Sequence, residues 1–102
     1  MTHPVFSEGR AALVTGAASG IGLAACNRFA SLGMKVCLAD INESALEAAR
    51  DEVASSGADV LAVVSDVSDR ASIKALKDKV LKRFGEVALL MNNAVTRLGG
   101  GV

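Results

Sequence analysis

Tyrosine is missing from all 102 residues, so no phenolic hydroxyl within the chain can act as acid or base. Charge of either sign is not in excess, because eleven Lys/Arg balance eleven Asp/Glu without a long run of one kind. No basic face therefore advertises a nucleic acid or an anionic membrane as partner. Apolar runs all fall short of the roughly 18 residues that cross a bilayer, and the first eight residues carry neither a basic nor an apolar targeting region. The expectation is a cytoplasmic protein. Cysteine is scarce: Cys26 falls in a helical segment and Cys37 in an apolar run, and the pair is expected to be two free, buried thiols rather than a staple. The lone histidine, His3, lies beside Pro4 in an expected frayed tail.

What is present is 51% apolar and 22% charged, the balance of one globular domain. Apolar runs alternate with amphipathic stretches, which predicts repeated strand, helix, strand units and a parallel sheet. Four strands and three helices fit. The first strand is Ala11 to Thr15, followed by a helix after Gly20 with Ile21, Ala25, Phe29 and Leu32 at near-helical spacing and a stop at Gly33. Lys35 to Asp40 is the second strand. Asn42 is the expected N-cap of a second helix striped with Leu46, Ala49 and Val53, ending before Gly57. A third strand spans about Asp59 to Val64. Ser68 can cap a third helix with Ile73, Leu76, Val80 and Phe84 on one side and Gly85 as terminator. Val87 to Met91 reads as a strand buried on both faces, with Asn92, Asn93 and Ala94 at its end. There is no internal repeat or linker, apart from the glycine-rich tail Gly99 to Gly101.

The stretch Thr15-Gly-Ala-Ala-Ser-Gly-Ile-Gly22 turns a strand into a helix through glycines. A phosphate needs backbone N–H donors brought close, and residues without a Cβ allow the tight turn while the helix offers its positive end. Gly16, Gly20 and Gly22 supply that freedom; Ser19 and Thr15 add hydroxyls, and Ile21 is expected to pack inward. Asp40 closes the next apolar run at the place where a dinucleotide-binding unit puts its ribose ligand. Its carboxylate can accept from both adenine-ribose hydroxyls, each such bond being worth roughly 1.5–3 kcal/mol. A 2′-phosphate would be repelled by about 4 kcal/mol per unit charge at ~4 Å and an effective dielectric near 20, with no cation at Ser19 or Ile41 to compensate. NAD is thus expected over NADP. Two plainer readings stay open: glycines that only let a strand and helix pack closely, and an Asp40 that is only a solvated or capping carboxylate. A P-loop ATPase is disfavoured, since no Gly-Lys-Ser/Thr follows the turn.

With the turn, Asp40, Asp66-Val67 and Asn92-Asn93-Ala94 in that order, the chain resembles the N-terminal part of the short-chain dehydrogenase/reductase family. The resemblance implies a Rossmann-type α/β sheet in the order 3-2-1-4, with residues 1–102 the first portion of one NAD(P)-binding domain. It implies that Gly16, Ser19, Gly20, Ile21 and Gly22 hold the cofactor diphosphate and that Asp40 takes the ribose. Asp66 and Val67 would contact the adenine, although Asp66 before Ser68 is also ordinary turn chemistry. Asn93 and Ala94 would line the cofactor near its second ribose, with Asn92 helping to hold the sheet. One departure is Val95, where the family carries glycine; a β-branched side chain restricts the loop there. Thr96-Arg97-Leu98 matches no motif.

By the same resemblance the activity is hydride transfer between a nicotinamide and a small-molecule alcohol or carbonyl substrate, through a tyrosine, a lysine and a serine. Those residues are expected beyond Val102, so the chain reads as a fragment or an incomplete record, inactive by itself. Family members are commonly homo-oligomers. The open edge of the last strand and its partly bare apolar faces are expected to be prone to association. The alternative is a shortened, non-catalytic module that binds a nucleotide or a partner.

Overall fold

The computed structural model describes residues 8–93. Ala94, Val95, the segment Thr96-Arg97-Leu98, the glycine tail and the His3-Pro4 tail lie outside the described residues.

Strand β1 (Ala11–Thr15) is buried at every position, the mark of a strand in the middle of a sheet covered on both faces. It pairs in parallel with β2 (Lys35–Asp40) on one side and with β4 (Leu89–Asn92) on the other, while β3 (Val60–Val64) extends the sheet beyond β2. The order is β3-β2-β1-β4, as expected. Parallel neighbours need crossover helices, and right-handed crossovers fix which face each helix covers. Moving from β1 to β3 puts α1 (Gly20–Ser31) and α2 (Glu43–Ala54) on one face; the jump back to β4 puts α3 (Arg70–Phe84) on the other.

Side chains alternate accordingly. Val14, Val36 and Leu38 join Cys26, Ala30, Leu46, Ala49 and Val53 in the core under α1 and α2. Leu13, Cys37 and Ala39 point the other way, against Leu76, Val80 and Phe84 of α3. Both cysteines are free and buried, as expected, and burial pushes each thiol up to about 12.

The second helix follows its sequence pattern: Asn42 Oδ1 accepts from Ala45 N–H at 3.1 Å, and Leu46, Ala49 and Val53 are its buried residues. Four details differ from expectation. The buried stripe of α1 is Gly22, Cys26 and Ala30, one position on from Ile21 and Ala25, because small side chains let this helix lie close to the sheet. Ile21 does not pack inward; it is 73% exposed. The cap of α3 is Asp69, whose Oδ1 accepts from Ala71 N–H at 3.1 Å, because Ser68 is engaged with Asp66 instead. β4 is not buried on both faces: it starts at Leu89, and Leu90 is 52% exposed on the face that α3 covers only in part.

The lead into β4 is tied to the start of β1 by Glu86. Its Oε2 accepts from Arg10 Nε at 3.0 Å and from Ala11 N–H at 3.1 Å. The Arg10 hydrogen bond, helped by the Ala11 amide, holds the Glu86 carboxyl below its ordinary 4.5. A carboxyl lowered in the folded state contributes stability above 4.5 that is lost as pH falls through its lowered value. Acid titration followed by circular dichroism should therefore show Glu86→Gln less stable than the unmutated chain at neutral pH. The gap should close progressively below pH 4.5.

Candidate dinucleotide-binding site

Strand order reverses between β1 and β4, and the crevice at the carboxyl ends of such strands is where open α/β sheets bind ligands. Thr15, Asp40, Ser65 and Asn92 all stand at that end of the sheet. The glycine turn leaves β1 with φ +64 at Gly16 and enters α1 with φ +58 at Gly20, left-handed conformations that glycine adopts without strain. Gly22 has a different reason: a Cβ there would stand 2.1 Å from the carbonyl oxygen of Gly16 and 2.9 Å from Asn93 Nδ2. At Gly20 a Cβ would meet nothing within 4 Å. The turn is therefore packed tight behind Gly22 and open in front of Gly20.

The first amides of any α-helix lack intrahelical acceptors. In α2 and α3 a side chain takes one of them, but at α1 the N-cap Ser19 makes no side-chain capping bond and the first turn holds no acidic residue. The opening of α1 thus presents its donors and its positive dipole end to the open space at Gly20. Two amides before it are spoken for: Ala17 N–H donates to Ala39 O at 3.1 Å and Ala18 N–H to Asp40 Oδ2 at 3.0 Å.

Asp40 therefore sits against the turn, half-buried, with Oδ1 accepting from Asn42 N–H at 3.0 Å. Ile41 beside it is 65% exposed. Sequence reasoning weighed Ile41 only for its missing charge; the signal it offered was an apolar residue directly after a strand end, where polar residues are usual. On the far side of the turn, Asn93 Nδ2 donates to Gly16 O at 3.1 Å, and the buried Thr15 hydroxyl donates to Asn92 Oδ1 at 2.8 Å. Both asparagines thus brace the turn from β4.

Asp66 follows β3, and its Oδ1 accepts from Ser68 N–H at 2.9 Å and from the Ser68 hydroxyl at 2.6 Å. These bonds hold its carboxyl below the ordinary carboxylate range. The turn reading of Asp66 is thus realised. Ser72 Oγ accepts from Asp66 N–H at 2.9 Å and lies 3.2 Å from the buried Ser65 hydroxyl, which fixes this loop on the start of α3. Val67 turns toward α3 and lines, with Leu13, Thr15, Ile73, Leu90 and Asn92, a cavity of about 450 Å³. The turn, Asp40 and Asn93 form one connected cluster, while Asp66 and Val67 stand on the neighbouring loop.

A parallel sheet with helices on both faces and a glycine-lined helix opening beside a strand-end carboxylate is a dinucleotide-binding α/β unit. Residues 10–100 match the model of the short chain dehydrogenase family, and the chain belongs to that family of oxidoreductases. It is 46% identical over 83 residues to 1-deoxy-11-beta-hydroxypentalenate dehydrogenase of Streptomyces avermitilis, covering 81% of this chain and 31% of that protein. A short chain dehydrogenase/reductase from Burkholderia phymatum in complex with NAD shares 47% identity and a TM-score of 0.80, over 81% of this chain and 30% of the other. A metagenomic short-chain oxidoreductase in complex with NADP shares 33% identity and a TM-score of 0.84, over 94% and 43%. The chain thus spans less than half the length of these relatives, in their N-terminal part.

Proposed function

We propose that this chain is the NAD-holding part of a short-chain dehydrogenase/reductase. The observation that carries the reading is Asp40: a carboxylate held 3.0 Å from the Ala18 amide, at the rim of an uncapped, glycine-lined helix opening. The residues fit a dinucleotide, since the space in front of Gly20 is open and the donors of α1 face it. Gly16, Ser19, Gly20 and Gly22 shape and donate to the diphosphate site, and the exposed Ile21 covers it from the helix side. Asp40 accepts from the adenine-ribose hydroxyls. Asp66 and Val67 flank the adenine with the exposed Ile41 opposite, and Asn93 with Ala94 lies near the second ribose. When bound, the nicotinamide supplies or takes the hydride exchanged with a small alcohol or carbonyl substrate. The residues here bind and orient it; with no tyrosine in its sequence, the chain alone binds cofactor without turnover. Residues 1–102 then form the first portion of one NAD(P)-binding domain of a cytoplasmic protein that works as a homo-oligomer.

Relatives in complex with NAD and with NADP both occur, so the choice of NAD rests on Asp40. A 2′-phosphate would meet its fixed negative charge at a cost of about 4 kcal/mol per unit charge before screening. Calorimetric titration should show NAD binding at least about tenfold more tightly than NADP, a difference of ~1.4 kcal/mol. Equal affinities would refute the assignment. Among the described residues no helix is long and apolar enough to cross a membrane.

A further inference from the structure

We propose that Asp40 is also a positioning residue, the latch that sets the glycine turn before any cofactor arrives. The inference deepens the NAD reading above and rests on it for its second half. Gly16 and Gly20, both without a Cβ and at left-handed φ, are the hinges of the turn; Asn93 Nδ2 holds the Gly16 carbonyl at 3.1 Å, which leaves the amides between the hinges to be held separately. The segment from Ala17 to Ser19 could swing about them unless something holds it. Ala17 is held by the Ala39 carbonyl at 3.1 Å, and Ala18 by the Asp40 carboxylate at 3.0 Å. Ser19 makes no side-chain capping bond. Among the described residues, Asp40 supplies the one side-chain acceptor given to an amide between the hinges.

Asp40 is itself well placed to act as an anchor. Its carbonyl accepts from Ser65 N–H at 3.0 Å, and its backbone pairs with Val64 of β3. Its Oδ1 accepts from Asn42 N–H at 3.0 Å. One residue thus links the ends of β1, β2 and β3. A carboxylate offers about four acceptor sites, so two remain for ribose hydroxyls after the two backbone amides are served.

The two duties ask for different properties of the same side chain. Rejecting a 2′-phosphate needs the negative charge, whereas latching Ala18 needs only an acceptor oxygen. Asparagine keeps that oxygen and drops the charge. Its amide would turn the oxygen to the part-buried Ala18 N–H, because the Asn42 N–H is exposed and can take water. Alanine removes both. If charge alone mattered, Asp40→Asn and Asp40→Ala would behave alike.

The test measures amide hydrogen exchange at Ala18 without cofactor, then affinities for NAD and NADP, in the unmutated chain, Asp40→Asn and Asp40→Ala. In Asp40→Ala, Ala18 should exchange at least about tenfold faster while the Leu38 amide in β2 stays protected, which separates unlatching from unfolding. NAD affinity should fall by about tenfold or more, and NADP affinity should rise by less than it does in Asp40→Asn, because loss of the latch offsets part of the relieved repulsion. In Asp40→Asn, Ala18 protection should stay within about threefold, and the preference for NAD over NADP should narrow. Unchanged Ala18 exchange in Asp40→Ala, or the same cofactor profile for both variants, would overturn the latch. Faster Ala18 exchange in Asp40→Ala with no cofactor bound by any form would uphold the latch and overturn the NAD reading.

Discussion

Gly22→Ala is expected to abolish the fold around the turn, losing more than about 3 kcal/mol, and to remove dinucleotide binding with it. The added methyl would lie 2.1 Å from the Gly16 carbonyl oxygen, which is backbone and cannot rotate away, and 2.9 Å from Asn93 Nδ2. Asn93 is the group that donates to that same carbonyl, so relief by moving either atom breaks the brace from β4. A loss of that size is a large share of the ~5–15 kcal/mol that holds a small domain together. Gly20→Ala makes the informative contrast. Its Cβ meets no atom within 4 Å, and the cost to the fold is the left-handed φ of +58, about 1–2 kcal/mol. The new methyl would nevertheless occupy the space proposed for the diphosphate, so binding should drop at least about tenfold while the chain stays folded. Thermal denaturation and calorimetry on the two variants check both halves. A folded, NAD-binding Gly22→Ala protein would contradict the packing argument, and unchanged affinity in Gly20→Ala would contradict the placement of the ligand.

The second large effect is expected from Leu38→Ala. Leu38 is fully buried in β2 between Val14 of β1 and Ala62 of β3, facing the core under α1 and α2. Truncating such a leucine leaves a cavity and costs about 2–5 kcal/mol. For a domain of this size the melting temperature should fall on the order of 10–30 °C. Because Leu38 stands two residues before Asp40, the same change should loosen the carboxylate and weaken NAD binding beyond the loss in stability. Leu90→Ala, at a side chain 52% exposed on β4, is the control and should change stability by less than about 1 kcal/mol. Similar losses at the two positions would mean that the core does not lie where the sheet places it.

Much of this architecture was legible in the residues, and the parts that were not share a physical cause. The parallel sheet, the Asn42 cap and the stripe Leu46, Ala49, Val53 follow from local rules, since alternation favours a parallel sheet, an asparagine before a helix takes an amide, and large apolar residues on a helix seek the core, whereas the strand order came with the family resemblance. The α1 stripe misled because the face against the sheet is lined by glycine, cysteine and alanine; close approach, not side-chain size, decides burial there. Ile21 drew the same error, since an exposed apolar side chain at the opening of a helix looks like a core residue in a pattern of hydropathy. The choice between Ser68 and Asp69 as cap depended on Asp66 engaging Ser68 first. Exposure of Leu90 depends on what covers β4, which no property of the strand itself reveals. At the site, the glycines and Asp40 were readable as types at a spacing, whereas the bond from Ala18 to Asp40 links residues 22 apart and exists only once β1 and β2 are paired.

The central claim is that the opening of α1 and the carboxylate of Asp40 together hold NAD. Backbone amide resonances followed while NAD is added to the chain test it most directly. The account predicts saturable shifts concentrated at Ser19 to Gly22, at Asp40 and Ile41, and at Asn93, with Gly33, Gly57 and Gly85 at the opposite ends of the strands unaffected. Shifts at those three glycines and none at the turn, or no saturable shift at all from a folded chain, would contradict it.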